Sequence, residues 1–204
     1  MNDMRKATRI VSSTFGFLAG IAGLGHGVTE VLQGNVHPTS VMFASIGAPC
    51  VPEKAWHACE PAMTLLPNLL IAGILTVIFG LLILIWSAAF VQRKKGGSLL
   101  ILFSVILLLV GGGIFPPLIG IVGGIAGTRI NKPLAGRPAG NLLSFVAKLW
   151  PWTLILFVGW ILGQYLVGFF LNDILRGVMG FGLLFILLLL PLSVYTGFAE
   201  DTAG

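Results

Sequence analysis

Two ionisable side chains, His26 and Glu30, lie four residues apart within a long apolar segment. On a helix this spacing brings the two side chains together. If the helix enters the bilayer near Arg9, Glu30 lies ~30 Å further along, close to the opposite boundary. Ionisable groups inside a membrane segment generally mark proton, ion or substrate sites. The pair therefore predicts a proton or cation site. The alternative is a structural role, in which His26 bonds a neighbouring helix and Glu30 reaches interfacial water.

The segment around this pair is two-sided. At 100° per residue, small and polar residues fall on one side and bulky apolar residues on the other. The first side carries Gly16, Gly20, Gly23, His26, Gly27, Glu30 and Gln33. Because GxxxG pairs allow membrane helices to approach closely, we predict that this side faces the protein and that its four glycines are packing positions. Gly159 and Gly163 form a similar pair later in the chain.

Composition identifies the class of protein. Of the 204 residues, 56% are hydrophobic and 9% are charged, whereas soluble domains carry about 25% charged residues. Several windows exceed ~18 nearly uncharged residues, the length of a spanning helix. We predict a single all-α polytopic integral membrane domain with five long hydrophobic segments. Lys and Arg cluster between these segments, and no basic patch contains interleaved aromatics. The expected partner is therefore the lipid bilayer and not nucleic acid.

The basic residues also orient the segments. The basic residues Arg5, Lys6 and Arg9 precede the first segment, and they predict that the N-terminus is cytoplasmic. The membrane that we expect is the plasma membrane. The predicted order is cytoplasmic residues 1–9, a membrane segment at 10–33, an extracytoplasmic loop at 34–60, a membrane segment at 61–91, a cytoplasmic turn at 92–97, a broken segment at 98–128, a cytoplasmic loop at 129–148, membrane segments at 149–171 and 174–197, and a cytoplasmic tail at 198–204.

Residues 98–130 are too long for one crossing. A single helix there would measure ~50 Å against a hydrocarbon core of ~30 Å. Its middle contains GGGIFPP at 111–117, and glycines and prolines favour a break that gives a hairpin or a re-entrant pair. A chain that turns back there has ten of the twelve Lys and Arg residues in the cytoplasm, against seven for a single crossing. The positive-inside rule therefore favours effectively six crossings with both termini cytoplasmic.

This topology gathers polar residues on the extracytoplasmic side. Glu60 begins the second segment, and Asn172 and Asp173 form the turn between the last two. The candidate polar, proton or ion site therefore comprises His26, Glu30, Gln33, Glu60, Asn172 and Asp173.

Both cysteines, Cys50 and Cys59, lie in the predicted extracytoplasmic loop. Outside the cytoplasm a disulfide is the expected state. Free thiols are a second possibility. A metal site that includes His57 is a third, although the loop lacks a paired CxxC motif and a fourth ligand.

The function class follows from the first segment. We predict a membrane protein for small-solute, ion or proton handling, in transport or with a transporter, with an outward-facing polar site on that segment. A membrane-embedded metal-dependent enzyme is one alternative. Its weak ligand candidates for a divalent metal are His26, Glu30 and His57, and no HExxH or GxSxG motif occurs. The other alternative is an accessory or assembly protein that self-associates or docks another membrane protein through its glycine faces. No cofactor and no catalytic residue is assigned.

Overall fold

The computed structural model describes residues 5–46, 50–52, 54, 56–133 and 140–203. Within these ranges the chain forms seven helices and one two-stranded sheet. In chain order they are α1 (Lys6–Gln33), β1 (Met42–Ala44), β2 (Pro61–Met63), α2 (Leu69–Ala89), α3 (Gly96–Val110), α4 (Phe115–Gly127), α5 (Asn141–Ala147), α6 (Trp152–Phe170) and α7 (Asn172–Ala203). Residues 1–4, 47–49, 53, 55, 134–139 and 204, which belong to predicted loops and tails, lie outside the described residues.

Length and hydropathy define the class of fold. Four helical runs are long and apolar enough to cross a membrane, namely α1, α2, α7 and the run Asn141–Phe170. Helices α3 and α4 are apolar but shorter, with 15 and 13 residues. The chain is therefore mostly helical with several helices of membrane-spanning length, in agreement with the class that its composition predicts.

The two ends of the described chain lie together. The Asp201 carboxylate near the end of α7 accepts hydrogen bonds from the backbone N–H groups of Ala7 and Thr8, each at 2.8 Å. The Arg5 side chain does not cap α1, so Asp201 supplies acceptors that the start of a helix otherwise lacks. We call this end of the molecule the termini end. The opposite end, which carries β1 and β2, is the loop end.

Arg5 is buried at the termini end, at 6% exposure. Its guanidinium donates to the carbonyl oxygens of Lys132 and Pro133 and lies 4.5 Å from the centre of the Phe198 ring. Burial lowers the pKa of Arg5, and the nearby Asp201 carboxylate opposes this effect. The segment after α4 and the end of α7 are thus joined to the start of α1.

Replacing Asp201 tests this junction. We expect Asp201→Ala to lower the free energy of unfolding by about 1–2 kcal/mol, because two N–H groups of α1 lose their acceptor. The matched control is Glu200→Ala, which removes the same charge from the neighbouring position, and it should change stability by less than about 0.5 kcal/mol. Thermal unfolding in detergent, followed by circular dichroism, measures both. Equal losses in the two variants would mean that charge, and not capping, is responsible.

Helices α1 and α2 pack through glycines. A Cβ built on Gly20 would lie 2.8 Å from the carbonyl oxygen of Gly80, and one on Gly27 would lie 3.0 Å from that of Gly73. Backbone therefore meets backbone at two levels, which is the close approach that small residues permit in membrane helices.

The two other glycines of this side also face protein atoms. Gly16 lies against the Ser87 side chain of α2, and Gly23 lies against Leu107 of α3. The glycine side of α1 thus contacts both α2 and α3. Bulky side chains of α1 outside the glycine side, such as Phe17 and Ile21, are exposed.

Helix α2 begins later than the sequence analysis placed it. The predicted segment started at residue 61, whereas Pro61–Met63 forms β2 and pairs antiparallel with Met42–Ala44. The helix begins at Leu69, where the Asn68 side chain accepts a hydrogen bond from the N–H of Ile71 at 3.1 Å. The fold is therefore not purely helical. The backbone groups of residues 61–63 find partners in another strand, which a local helix signal does not detect.

Smaller differences occur at other boundaries. Helix α1 begins at Lys6, within the predicted cytoplasmic segment 1–9, and α7 runs from Asn172 to Ala203, through most of the predicted tail. The terminal turns continue as helix because they pack against each other at the termini end.

The chain turns back within the predicted GGGIFPP break. Helix α3 ends at Val110 and α4 begins at Phe115, with proline in its first turn. The two helices run antiparallel, since Gly97 near the start of α3 lies against the backbone at Thr128, just after α4. The result is a helical hairpin whose turn lies at the loop end.

The second predicted glycine pair does not pack within the described chain. No atom of it comes within 4 Å of a Cβ built on Gly159 or Gly163. Helix α6 instead meets α7 through Trp160, whose ring covers Gly182. The predicted packing role of Gly159 and Gly163 is therefore not met among the described residues.

Candidate functional site

The Glu30 carboxylate is fully buried near the end of α1, with no exposed surface. The Ser45 hydroxyl, just after β1, donates to its Oε1 at 2.8 Å. Thr76 of α2 lies on the other side, with Oγ1 3.4 Å from Oε2 and 3.1 Å from the carbonyl oxygen of Val110. Two segments that are distant from each other in sequence thus meet at this carboxyl group.

The Thr76 hydroxyl has a single proton to donate. When Thr76 donates to Glu30, an ionised carboxylate can accept hydrogen bonds from two hydroxyls. When Thr76 donates to Val110, its oxygen can accept a hydrogen bond from the O–H of a neutral Glu30 carboxyl. The same positions therefore satisfy both protonation states through rotation of one hydroxyl, whereas a buried polar group without a partner would be costly.

The turn between α3 and α4 closes the site. Gly111 and Gly113 have φ angles of +126° and +77°, which are accessible mainly to glycine. A Cβ at Gly111 would collide with the Glu30 carboxylate, and one at Gly113 would collide with the His26 imidazole. The glycines of GGGIFPP are therefore required both for the turn and for its contact with the two ionisable groups.

His26 pairs with Glu60 and not, as its spacing predicted, with Glu30, to which it makes no hydrogen bond or ion pair among the described residues. It is 2% exposed, and its Nε2 lies 3.3 Å from Oε2 of Glu60, whose side chain is 36% exposed. The buried Nδ1 has no hydrogen-bond partner among the described residues. We call His26, Glu30, Ser45, Glu60 and Thr76 the carboxyl site.

The strands position this site. The backbone N–H of Ser45 donates to the carbonyl oxygen of Glu60 at 3.0 Å, next to the β1–β2 pairing. Gln33, at the end of α1, donates through Nε2 to the carbonyl oxygens of Ala44 and Ser45, at 3.3 and 2.9 Å. Gln33 thus holds the loop over the site, and its amide is engaged by backbone.

Cys50 and Cys59 pair as a disulfide, with their Cα atoms 5.0 Å apart. This is the first of the three states that the sequence left open. Cys59 immediately precedes Glu60, and its N–H donates to the carbonyl oxygen of Ile46 at 2.7 Å. The cross-link therefore restrains the segment that carries the surface carboxylate of the site.

Two predicted members, Asn172 and Asp173, lie outside the carboxyl site. The Asp173 side chain is 92% exposed, and its Oδ1 lies 3.7 Å from Nη1 of Arg176 on the same helix. Asn172 donates to the carbonyl oxygen of Pro52 at 3.2 Å. These residues share the loop end with Glu30, but the start of α7 contacts the loop and not this part of α1.

The predicted metal ligands do not form a cluster. His57 packs against Trp56 and Tyr165, with ring centroids 5.0 and 6.0 Å away, while His26 and Glu30 belong to the carboxyl site. Over the residues that the structure describes, no group of three or more His, Cys, Asp or Glu side chains is arranged to hold a metal ion.

Ser45 and Thr76, which both lie within hydrogen-bonding distance of Glu30, were not among the site residues predicted from the sequence. Thr76 is a polar residue in the middle of a strongly apolar helix, and this signal could have marked it. Ser45 lies in a loop with several other hydroxyl residues, so no local pattern distinguishes it.

Apolar side chains close the site toward the termini end. Ala19, Ile83, Leu100 and Leu107 are all fully buried there, at 0% exposure. Within the carboxyl site, Glu60 at the loop end is the one residue whose side chain is substantially exposed, whereas the other four are buried.

The chain is thus mostly helical, with several helices long and apolar enough to span a membrane and a fully buried acid near one end. No protein family, curated protein or solved structure gives a significant match to this chain. The geometry of the carboxyl site is therefore the feature of this chain that bears on its function.

Proposed function

We propose that this chain is a multipass protein of the plasma membrane that handles protons, or small ions or solutes coupled to protons, at an extracytoplasmic-facing carboxyl site on α1. It acts as a transporter or as part of one. The proposed topology has six crossings, with both termini cytoplasmic. Exposed basic residues support this orientation, since Lys6, Arg93, Lys94 and Lys95 lie toward the termini end.

One observation carries the proposal. Thr76 Oγ1 lies within hydrogen-bonding reach of both Glu30 and the Val110 carbonyl oxygen, so a hydroxyl rotation accommodates both protonation states of a fully buried acid. A purely structural carboxylate would be better held by groups that can only donate hydrogen bonds, such as backbone N–H groups or Arg. A hydroxyl, which can either donate or accept a hydrogen bond, suits a carboxyl group that gains and loses a proton.

The connection to the surface supports the same function. Glu60 is about one-third exposed and lies 3.3 Å from His26, and His26 and Glu30 both lie against the glycine turn at 111–113. Imidazole and carboxylate groups are the usual members of proton relays in membrane proteins. The apolar closure toward the termini end means that net transport requires a second conformation that opens there.

The direct test is infrared difference spectroscopy of the full chain in lipid between acidic and alkaline pH. We expect a carboxylic C=O band that disappears in Glu30→Gln and shifts in Thr76→Val, because the hydroxyl partner is lost. The control is Ser104→Ala, which removes a buried hydroxyl that bonds Leu100, and it should leave the band unchanged. A band that persists in Glu30→Gln would contradict the proposal.

Proton flux tests the transport step. In liposomes with an imposed potential, we expect flux through the wild-type protein, a rate in Glu30→Gln at the level of empty liposomes, and a reduced rate in Glu60→Gln. Glu200→Gln, at the opposite end, is the matched control and should match the wild type. Wild-type flux that Glu30→Gln leaves unchanged would rule out this role of the site.

A second candidate is an accessory role, favoured by the open glycine pair. Gly159 and Gly163 have no neighbour in the described chain within 4 Å of a built Cβ, so this face of α6 is available to another membrane helix. Bulky substitutions there should then reduce cross-linking between copies, or to a co-purified membrane protein. Gly180, which is equally open, is the control position.

A further inference from the structure

A polar cavity of about 350 Å³ opens between α1 and α2 near the termini end, far from the carboxyl site. Its lining consists of Arg9, Ile10, Ser13, Thr14, Ala88 and Gln92. Four of these six residues are polar, although the helices around them are apolar. Such a recess offers hydrogen-bonding groups to a polar ligand or to water.

Three of the four polar side chains of this cavity are not engaged by the part of the chain that the structure describes. The side chains of Arg9, Ser13 and Thr14 form no hydrogen bond or ion pair with any described residue. The Gln92 side-chain amide donates to the carbonyl oxygen of Ala89, three residues earlier on the same segment, at 2.8 Å. A guanidinium and two hydroxyls that share one recess offer the donor set that binds phosphate oxygens.

The cavity continues toward the loop end as an apolar surface. On α1, Phe17 and Ile21 follow Ser13 at intervals of four residues, and on α2, Ile85 and Leu81 precede Ala88 on the same side. All four of these apolar side chains are 42–53% exposed. A ligand with a charged head and a long apolar tail would therefore satisfy both parts of the surface at once.

Charge at this end favours an anionic ligand. Lys6, Arg93, Lys94 and Lys95 are exposed around the same end of α1 and α2. Basic pockets between membrane helices on the positive side of a protein bind anionic lipid headgroups, and each nearby Lys or Arg adds to the attraction.

We propose that this cavity binds the phosphate headgroup of an anionic phospholipid, with an acyl chain along the exposed surface of α1 and α2. Arg9 contacts the phosphate, and the Ser13 and Thr14 hydroxyls donate to its oxygens. The inference is independent of the carboxyl site, because it uses a different part of both helices.

The test is retention of phosphatidylglycerol by the purified full chain, counted by native mass spectrometry and titrated with a fluorescent phosphatidylglycerol. We expect Arg9→Gln to weaken binding about tenfold, since a hydrogen bond to a charged group is lost. We expect Thr14→Val, which keeps the side-chain shape, to weaken it about threefold. Lys94→Gln removes the same charge outside the cavity and should change affinity less than twofold.

Competition identifies the source of the phosphate. Phosphatidylcholine and inorganic phosphate should both fail to displace phosphatidylglycerol at concentrations where unlabelled phosphatidylglycerol succeeds. Displacement by inorganic phosphate alone would overturn the lipid assignment in favour of a free anion. Equal losses in Arg9→Gln and Lys94→Gln, with unchanged thermal unfolding, would overturn the site itself and leave only general attraction to a basic surface.

Discussion

Gly27→Leu should force α1 away from α2 and strongly destabilise the fold. A Cβ at this position would already lie 2.8 Å from the Val77 backbone nitrogen and 3.0 Å from the Gly73 carbonyl oxygen. Those atoms belong to the backbone of α2, so they cannot move aside as a side chain can. We expect a loss of about 3 kcal/mol in the free energy of unfolding, at the upper end of overpacking effects.

Gly25 provides a matched control on the same helix. A Cβ there would meet nothing within 4 Å, and the residue faces away from α2. Gly25→Leu should therefore change stability by about 0.5 kcal/mol or less. Thermal unfolding in detergent and the monodisperse fraction in size-exclusion chromatography measure both variants. Similar behaviour of the two variants would mean that the α1–α2 contact contributes little to the fold.

Gly111→Ala should combine two unfavourable effects. Its φ of +126° is strained for any residue with a Cβ, and the added Cβ would collide with the buried Glu30 carboxylate. We expect a loss of at least about 3 kcal/mol, from the sum of backbone strain and overpacking. The carboxylic infrared band of Glu30 should also move, because the turn that encloses this group is displaced.

Gly34→Ala separates these two effects. Gly34 also has a positive φ, +85°, but nothing lies within 4 Å of its built Cβ. Its substitution should therefore report backbone strain alone, about 1–2 kcal/mol, and leave the Glu30 band in place. If the two variants lose equal stability, the contact between the glycine turn and the Glu30 carboxyl group does not contribute measurably to stability. The tight packing of the turn against Glu30 would then not explain the effect of Gly111→Ala.

Local patterns predicted several features of this architecture. Helical periodicity placed Gly20, Gly27 and Glu30 on one side of α1, and in the structure that side contacts α2 and α3. Three glycines and two prolines indicated a break within residues 98–128, and the chain turns back there. Both predictions depend only on residues that are close in sequence, because helix phase and backbone freedom are local properties.

Other predictions failed because they concern contacts between distant segments. Pro61 was assigned to a helix, yet its segment pairs with residues 42–44, and strand pairing depends on a partner that local sequence does not identify. Asn172 and Asp173 were grouped with Glu30 because topology put them at the same end. A shared end of a bundle does not bring side chains into contact.

By itself, the amino-acid sequence determined the helical membrane class, the two-sided first helix that carries His26 and Glu30, and the position of the chain reversal. Only the tertiary structure decided what surrounds Glu30, since Ser45, Thr76 and Gly111 reach it from three segments far apart in the chain. The physical reason is that a buried carboxyl group requires hydrogen-bond partners from whichever segments pack around it. That packing depends on how whole helices are placed relative to one another, and this placement cannot be predicted from the periodicity of one helix.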